Sequence, residues 1–308
     1  MREPSSLYSV VMADHEVPRG LPLVAGLTGF SDAGTAVGQV TEYLVSELEH
    51  RDVVVFDNDE LLDWRARRPV LYFDETRIAE YTMPSLAVRL VTDELGSPFL
   101  LLSGYEPDFQ WEGFTQAVMD IIERFEVTST TWVNAIPMPV PHTRPIGVTV
   151  SGNREDLIES LSIWRPRTQV PGNALHLLEF RLQQRGLPVV GFVLLVPHYL
   201  ADTEFPSAAV TALESITAAT GLLFPTDRLR EEGRDFLAKI ASQVEGNTEL
   251  ARLVGTLEER HDSYMEDNPL RSPLTDEDGE LPSADAIAAE LEKFLAFRRS
   301  SDDDPASD

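Results

Sequence analysis

Apolar positions along the chain follow two alternating rhythms. Short runs rich in β-branched residues predict strands at Leu7–Val11, Leu23–Leu27, Val53–Phe56, Val70–Phe73, Leu86–Val91, Phe99–Leu102, Thr130–Ala135, Ile146–Val150 and Val189–Val196. Three of these runs, within LPLVAGL, PFLLLSG and VVGFVLLVP, are apolar almost throughout, as parallel strands buried on both faces are. Between the strands apolar residues recur three and four apart: Val37, Val40, Leu44 and Leu48; then Phe114, Val118, Ile121, Ile122 and Phe125; then Leu175, Leu178 and Leu182; then Leu213 and Ile216. Each stripe is one face of a helix and reads as packing on a sheet rather than lining a cofactor. The alternation predicts an α/β sandwich with a mainly parallel sheet. In LAVRLVTDELGSPFLLL two apolar runs flank Glu94–Pro98, which reads as a hairpin, so the sheet is expected to be mixed.

The texture changes at Asp227. Leu229, Phe236, Leu237, Ile240 and Val244 form one helical stripe, and Leu250, Leu253, Val254 and Leu257 another, with no strand pattern after them. Residues 266–282 read as an acidic, proline-containing linker. A last helix is expected over Ala284–Phe297, capped by Ser283, with Ile287, Leu291 and Phe294 on one face. The domain reading is therefore a sandwich over 1–226, a helical extension over 227–299 and a disordered tail over 300–308.

Charge and composition narrow the function. The 308 residues carry a net charge of −27, which repels a phosphate backbone, so no nucleic-acid partner is expected. The same charge weakens attraction to anionic lipid. No stretch reaches about 18 apolar residues and the first residues hold no long apolar segment. A cytoplasmic protein without a membrane partner is expected. With no cysteine, disulfides and thiolate zinc sites are excluded. No HExxH-like spacing occurs, and neither a metal nor a cofactor is expected.

Four stretches could carry chemistry. In Gly29-Phe-Ser-Asp-Ala-Gly34 the GxxxxG spacing matches a phosphate loop, but Thr35 stands where lysine is required and Asp32 puts an anion at the helix entrance. Ser31 or Asp32 can cap the helix instead, with Gly34 and Gly38 leaving a bare face for close packing; a small-molecule or peptide site is the other reading. GYEPDFQWEGF, Gly104–Phe114, gathers Glu106, Asp108 and Glu112 around Trp111. Burial could raise one carboxyl into general acid–base range, or all three could dress a helix N-terminus. Two Val-Pro-His triplets follow strands: His142 with Arg144 close behind, suited to bidentate anion binding, and His198 followed by Tyr199 and Asp202. Either histidine could equally be a structural hydrogen-bonder. Asp57–Pro69, DNDELLDWRARRP, reads as a salt-bridged surface or as an interaction surface anchored by Trp64. No GxSxG elbow occurs, since Ser103 sits in Leu-Leu-Ser-Gly-Tyr. The Ser31–Gly34 loop, Glu106, His142 and His198 each follow the carboxyl end of an expected strand, where open parallel sheets bind ligands.

These same stretches carry a resemblance. GFSDAG at 29–34, FDxDELxDxRxRRP from Phe56 to Pro69, GxEPDxxWExF at 104–114, VPHTRP at 140–145, VPHY at 196–199 and the LxxxTGL turn near Gly221 resemble the family named for the second subunit of the eukaryotic proteasome assembly chaperone, most of all its actinobacterial branch. The resemblance implies a three-layer α/β/α sandwich similar to nucleoside phosphorylases, with the C-terminal helices as that branch's own extension. It also implies a protein partner, proteasome-related among the candidates, and a homo-oligomer, with a trimer among the orders considered. Eukaryotic relatives dock through a C-terminal hydrophobic-Tyr-any tripeptide; Pro305-Ala306-Ser307-Asp308 stands here, and that docking mode is not expected. The favoured function is a protein-binding or assembly factor. A hydrolase or transferase of a small metabolite on a phosphorylase-like scaffold is the alternative, with Asp32, Glu106, His142, Arg144 and His198 as its chemistry.

Overall fold

A computed structural model describes residues 3–165 and 167–267. Of the expected linker only Glu266 and Asp267 are described, at the end of a helix; the Ser283-capped helix and the tail lie outside the described residues. The strands are β1 (Tyr8–Val10), β2 (Leu23–Thr28), β3 (His50–Phe56), β4 (Val70–Asp74), β5 (Arg77–Thr82), β6 (Ala87–Thr92), β7 (Pro98–Tyr105), β8 (Thr130–Met138), β9 (Val148–Gly152) and β10 (Val189–Pro197). The helices are α1 (Ala36–Glu47), α2 (Asn58–Leu61), α3 (Trp111–Arg124), α4 (Glu155–Leu161), α5 (Ala174–Gln184), α6 (Pro206–Thr220), α7 (Asp227–Glu245) and α8 (Thr248–Asp267).

Eight strands form one sheet in the order β1-β3-β6-β7-β2-β8-β10-β9. Its centre, β7-β2-β8-β10, is parallel, and β1, β3, β6 and β9 join with antiparallel pairings. β6 and β7 form the expected hairpin. Asp93 closes its turn, its Oδ1 accepting from Leu95 N at 2.9 Å and Ser97 N at 2.8 Å. Among the described residues, β4 and β5 pair only with each other, as a separate two-stranded hairpin.

The uniformly apolar central strands serve two cores at once, because successive side chains point to opposite faces. Leu23, Ala25, Leu100, Leu102 and Trp132 pack under α3 and α5. Val24, Leu101, Val133, Phe192 and Leu194 pack under α1 and α6, where Leu229 of α7 joins them. The result is a three-layer α/β/α sandwich. Phe236 of α7 lies against Phe205, ring centres 5.4 Å apart, so α7 backs onto the start of α6.

Two glycines fix the spacing of the layers. A Cβ at Gly26 of β2 would lie 2.9 Å from Thr41 Cγ2, so this strand residue is where α1 comes close. A Cβ at Gly191 of β10 would lie 2.3 Å from the Trp132 indole, which lies across it from β8.

Candidate functional site

Because β7, β2, β8 and β10 are parallel, the loops after them gather at one edge of the sheet. Main-chain bonds join them. Glu106 N donates to Thr28 O at 2.7 Å, Gly34 N to Ala201 O at 2.8 Å, and Phe205 N to Gly34 O at 2.9 Å, while Asp32 bridges to Ala135. Within that edge the side chains singled out from the sequence bond in three separate groups.

The first group closes the entrance of α1. Asp32 Oδ1 accepts from Val37 N at 2.7 Å and its Oδ2 from Gly38 N at 2.9 Å. The carboxylate thus occupies the amides that a bound phosphate would use. Burial pushes the Asp32 carboxyl above the usual range, and the two amide donors pull the other way. Ser31 Oγ donates to Ala135 O at 3.1 Å, fastening the loop to β8 rather than capping the helix. The expectation of a bare helical face at Gly34 and Gly38 is corrected. Gly34 lies in the turn before α1, at φ 69°, where a Cβ would sit 3.0 Å from Phe205 Cβ. Gly38 instead makes room for the Asp32 carboxylate, 3.4 Å from the place of a Cβ.

The second group follows β7. Glu106 is buried, and its Oε1 accepts from Ala174 N, 2.6 Å away in the first turn of α5. Burial raises its pKa, countered by that amide and by the charge of Arg67. It therefore caps α5, not the α3 whose entrance it precedes in sequence. Asp108 accepts from Asp63 N at 2.8 Å and faces Arg67 at 3.4 Å. The Trp111 indole donates to Pro107 O at 2.6 Å, and Glu112 pairs with Arg181 at 2.7 Å. The three carboxylates point to three different partners, so no acid–base pair forms around Trp111.

Arg67 organises this side, although the sequence reading placed it only within a general charged cluster. Its Nη2 donates to Gly29 O at 3.0 Å, it faces Asp108, and its guanidinium lies 5.3 Å from the Tyr105 ring centre. Three motif segments thus meet at one arginine, leaving Phe30, Phe109 and Tyr105 55%, 50% and 37% exposed. Trp64, the expected anchor, is half-buried with its indole on Asp59 Oδ1 at 2.9 Å.

The third group joins the two Val-Pro-His loops through Tyr199. The His142 main-chain N–H donates to the Tyr199 hydroxyl at 2.9 Å, leaving that hydroxyl to donate to His142 Nδ1, 2.8 Å away. Burial lowers the His142 pKa, in keeping with a neutral ring that accepts at Nδ1, and raises that of Tyr199. The Tyr199 ring meets His142 and His198 edge-on, at 5.9 and 5.4 Å between centres. His198 is exposed, its Nδ1 3.4 Å from Met138 O. Arg144 grips α8: its Nε and Nη2 reach Asp262 at 2.8 and 2.6 Å, and its Nη1 reaches Glu258 at 3.2 Å. The anion bound by Arg144 is the protein's own. His142 and Arg144 line a cavity of about 440 Å³ whose far wall is Phe205, Ser207, Arg230 and Arg234.

A fourth polar centre had no motif to announce it. Glu179 of α5 is buried and accepts from the Trp132 indole at 2.7 Å, Ser151 Oγ at 2.8 Å and Gln183 Nε2 at 3.1 Å. Its one sequence signal is a charge on the buried side of a helix, beside Leu175, Leu178 and Leu182. Among the described residues, no group of three or more histidine, aspartate or glutamate side chains is placed to hold a metal ion, and no helix is long and apolar enough to cross a membrane.

A mixed-sheet α/β/α sandwich, with loops at one sheet edge closed by their own carboxylates and aromatics turned outward, defines a scaffold class rather than one reaction. The chain belongs to the PAC2 family, which it matches over residues 26–244. A Corynebacterium glutamicum protein of unknown function is 36% identical, with 85% of this chain and 99% of that one covered and a TM-score of 0.82. A Mycobacterium tuberculosis protein of unknown function is 39% identical, with 84% and 92% covered and a TM-score of 0.79. A Mycobacterium tuberculosis proteasome-assembly chaperone homologue shares the fold at 23% identity, with 76% and 100% covered and a TM-score of 0.68. No curated protein matches the chain.

Proposed function

We propose that the chain is a protein-binding assembly factor whose partner is a proteasome subunit. The observation that carries this reading is the Arg67 junction. It locks three loops together and presents Phe30, Tyr105 and Phe109 to solvent beside an arginine, the residue types enriched at protein interfaces. Family membership supports the class of partner, as does the name of the proteasome-assembly chaperone homologue. With the reading go a cytoplasmic location and a homo-oligomeric state, a trimer being the order to test first. Co-expression with proteasome subunits and affinity capture tests it. The wild type should enrich a subunit, and Phe30→Ala with Phe109→Ala should lose it while folding normally. Equal capture by both proteins, or none by the wild type, overturns the reading.

A small-molecule role has its own support in the cavity beside His142 and Arg144. Thermal-shift screening with nucleosides and small anions tests it; a stabilising ligand whose shift survives His142→Ala would remove that cavity from the reading.

A further inference from the structure

On the α1 side of the sheet, three neighbouring strands turn from apolar to polar at one level. Going towards the edge where the motif loops gather, β7 presents Phe99, Leu101 and then Ser103 to that side. β6 presents Val91 and then Arg89, and β2 presents Val24, Gly26 and then Thr28. Ser103 is only 4% exposed, a polar residue where the strand's rhythm calls for another apolar one. This level lies at the carboxyl ends of β2 and β7, which are parallel neighbours. The chain leaves β2 towards α1 on one face of the sheet and leaves β7 towards α3 on the other. Loops that part in this way open a crevice between the two strands, the place where open parallel sheets bind ligands. A crevice of about 290 Å³ lies there, with Arg89, Ser85 and Ser103 on the sheet side and Glu42 on the α1 side.

Its hydrogen bonding is one-sided. Arg89 donates from Nη1 to Ser103 Oγ at 2.7 Å and from Nη2 to Ser85 Oγ at 2.9 Å, and its Nε lies 3.0 Å from Asp52 Oδ1. A guanidinium carries five N–H groups, so two have no acceptor among the described residues. Each serine oxygen accepts from Arg89, and neither hydroxyl proton has an acceptor among the described residues. Four donors therefore sit together without an acceptor. The Glu42 carboxylate on the opposite wall makes no ion pair and no hydrogen bond among the described residues.

We propose that this crevice binds a small zwitterion of the amino-acid class, its carboxylate on Arg89, Ser85 and Ser103 and its ammonium on Glu42. A carboxylate is an acceptor with room for several such donors. Phosphate fits less well, because Asp52 already offsets the charge of Arg89 and Glu42 repels a second negative charge. The size agrees, since the volume falls at the small end of ligand pockets, which start at about 300 Å³. Phe30 and Phe109 do not line the crevice, so amino-acid binding and partner capture can fail separately.

Saturation-transfer NMR and calorimetry on the full chain test the site. The probes are the standard L-amino acids, with acetate, methylamine and inorganic phosphate for comparison. At least one amino acid should bind, and more tightly than any of those three. Glu42→Gln and Ser103→Ala should each weaken it about tenfold or more, the size of one hydrogen bond to a charged group, with circular dichroism unchanged. Glu42 is exposed, so its variant keeps the fold even where a change at Ser103 does not. In Glu42→Gln the amino acid should also lose its advantage over acetate. No amino acid bound by the wild type, or binding that both variants leave unchanged, overturns the site. Phosphate or acetate bound as tightly as every amino acid overturns the zwitterion.

Discussion

Carboxylates drawn into the fold show how single residues set this structure. Glu179 is held by the Trp132 indole, Ser151 and Gln183, and burial raises its pKa against the Ser151 and Trp132 hydrogen bonds. Between the free value near about 4.3 and the raised one, the folded chain binds more protons than the unfolded chain. Stability is therefore fullest below the free value and falls as pH climbs through the raised pKa. Asp32 and Glu106 act in the same direction. Melting temperature followed upward from about pH 4 should decline in the wild type and less steeply in Glu179→Gln, whose amide oxygen still accepts from Trp132. Glu179→Ala strands the indole N–H in the core and should cost about 1–3 kcal/mol in chemical denaturation. At Asp32 the loss is of a different kind. Asp32→Ala frees two amides at the start of α1 and should cost about 1 kcal/mol, with Asp32→Asn, which keeps one acceptor, costing less.

At the scale of elements, α8 is tethered by polar contacts. Arg144 forks onto Asp262 and reaches Glu258, and the Tyr264 hydroxyl donates to Ile163 O at 2.9 Å. The hydrogen bonds from Arg144 and then His261 hold Asp262 down at about 2. That tether is fully present above the free aspartate value of about 3.9 and is lost as pH falls towards about 2. Deuterium exchange should show the amides of α8 opening over that window while α3 and α5 stay closed. Arg144→Ala should open them already at neutral pH, and Arg144→Lys should restore protection only in part, since a point charge cannot make the two-pronged contact.

Elements were also the scale at which the sequence was most readable. All nine expected strands exist, because each is an apolar run of strand length. β5 was missed because RIAEYT, exposed along its length, carries no core-facing rhythm, and α2 and α4 because one or two turns make no stripe. Parallel order was enough to send the motif loops to one edge. It could not say that Glu106 caps a helix some seventy residues onward, or that Arg144 turns to α8, since both choices depend on tertiary neighbours. Arg67 was hidden among similar arginines, and its role depends on the main chain of Gly29, which no local pattern marks.

At the scale of the whole molecule the chain carries a large negative charge, and that charge opposes the association of copies that the homo-oligomeric reading expects. Copies at −27 repel over about the Debye length, some 10 Å at 0.1 M salt and about 3 Å at 1 M. Apolar burial between copies would not be weakened by that screening. Added salt should then favour association through an apolar contact: raising sodium chloride from about 0.02 M to about 0.5 M shrinks the reach of repulsion several-fold while leaving such a contact intact. Mass photometry or light scattering at fixed protein concentration should show the multimer fraction rising with salt. An interface built on ion pairs would respond the other way, dissociating as salt rises, so the sign of the salt response distinguishes an apolar contact from charge complementarity as the basis of the proposed homo-oligomer.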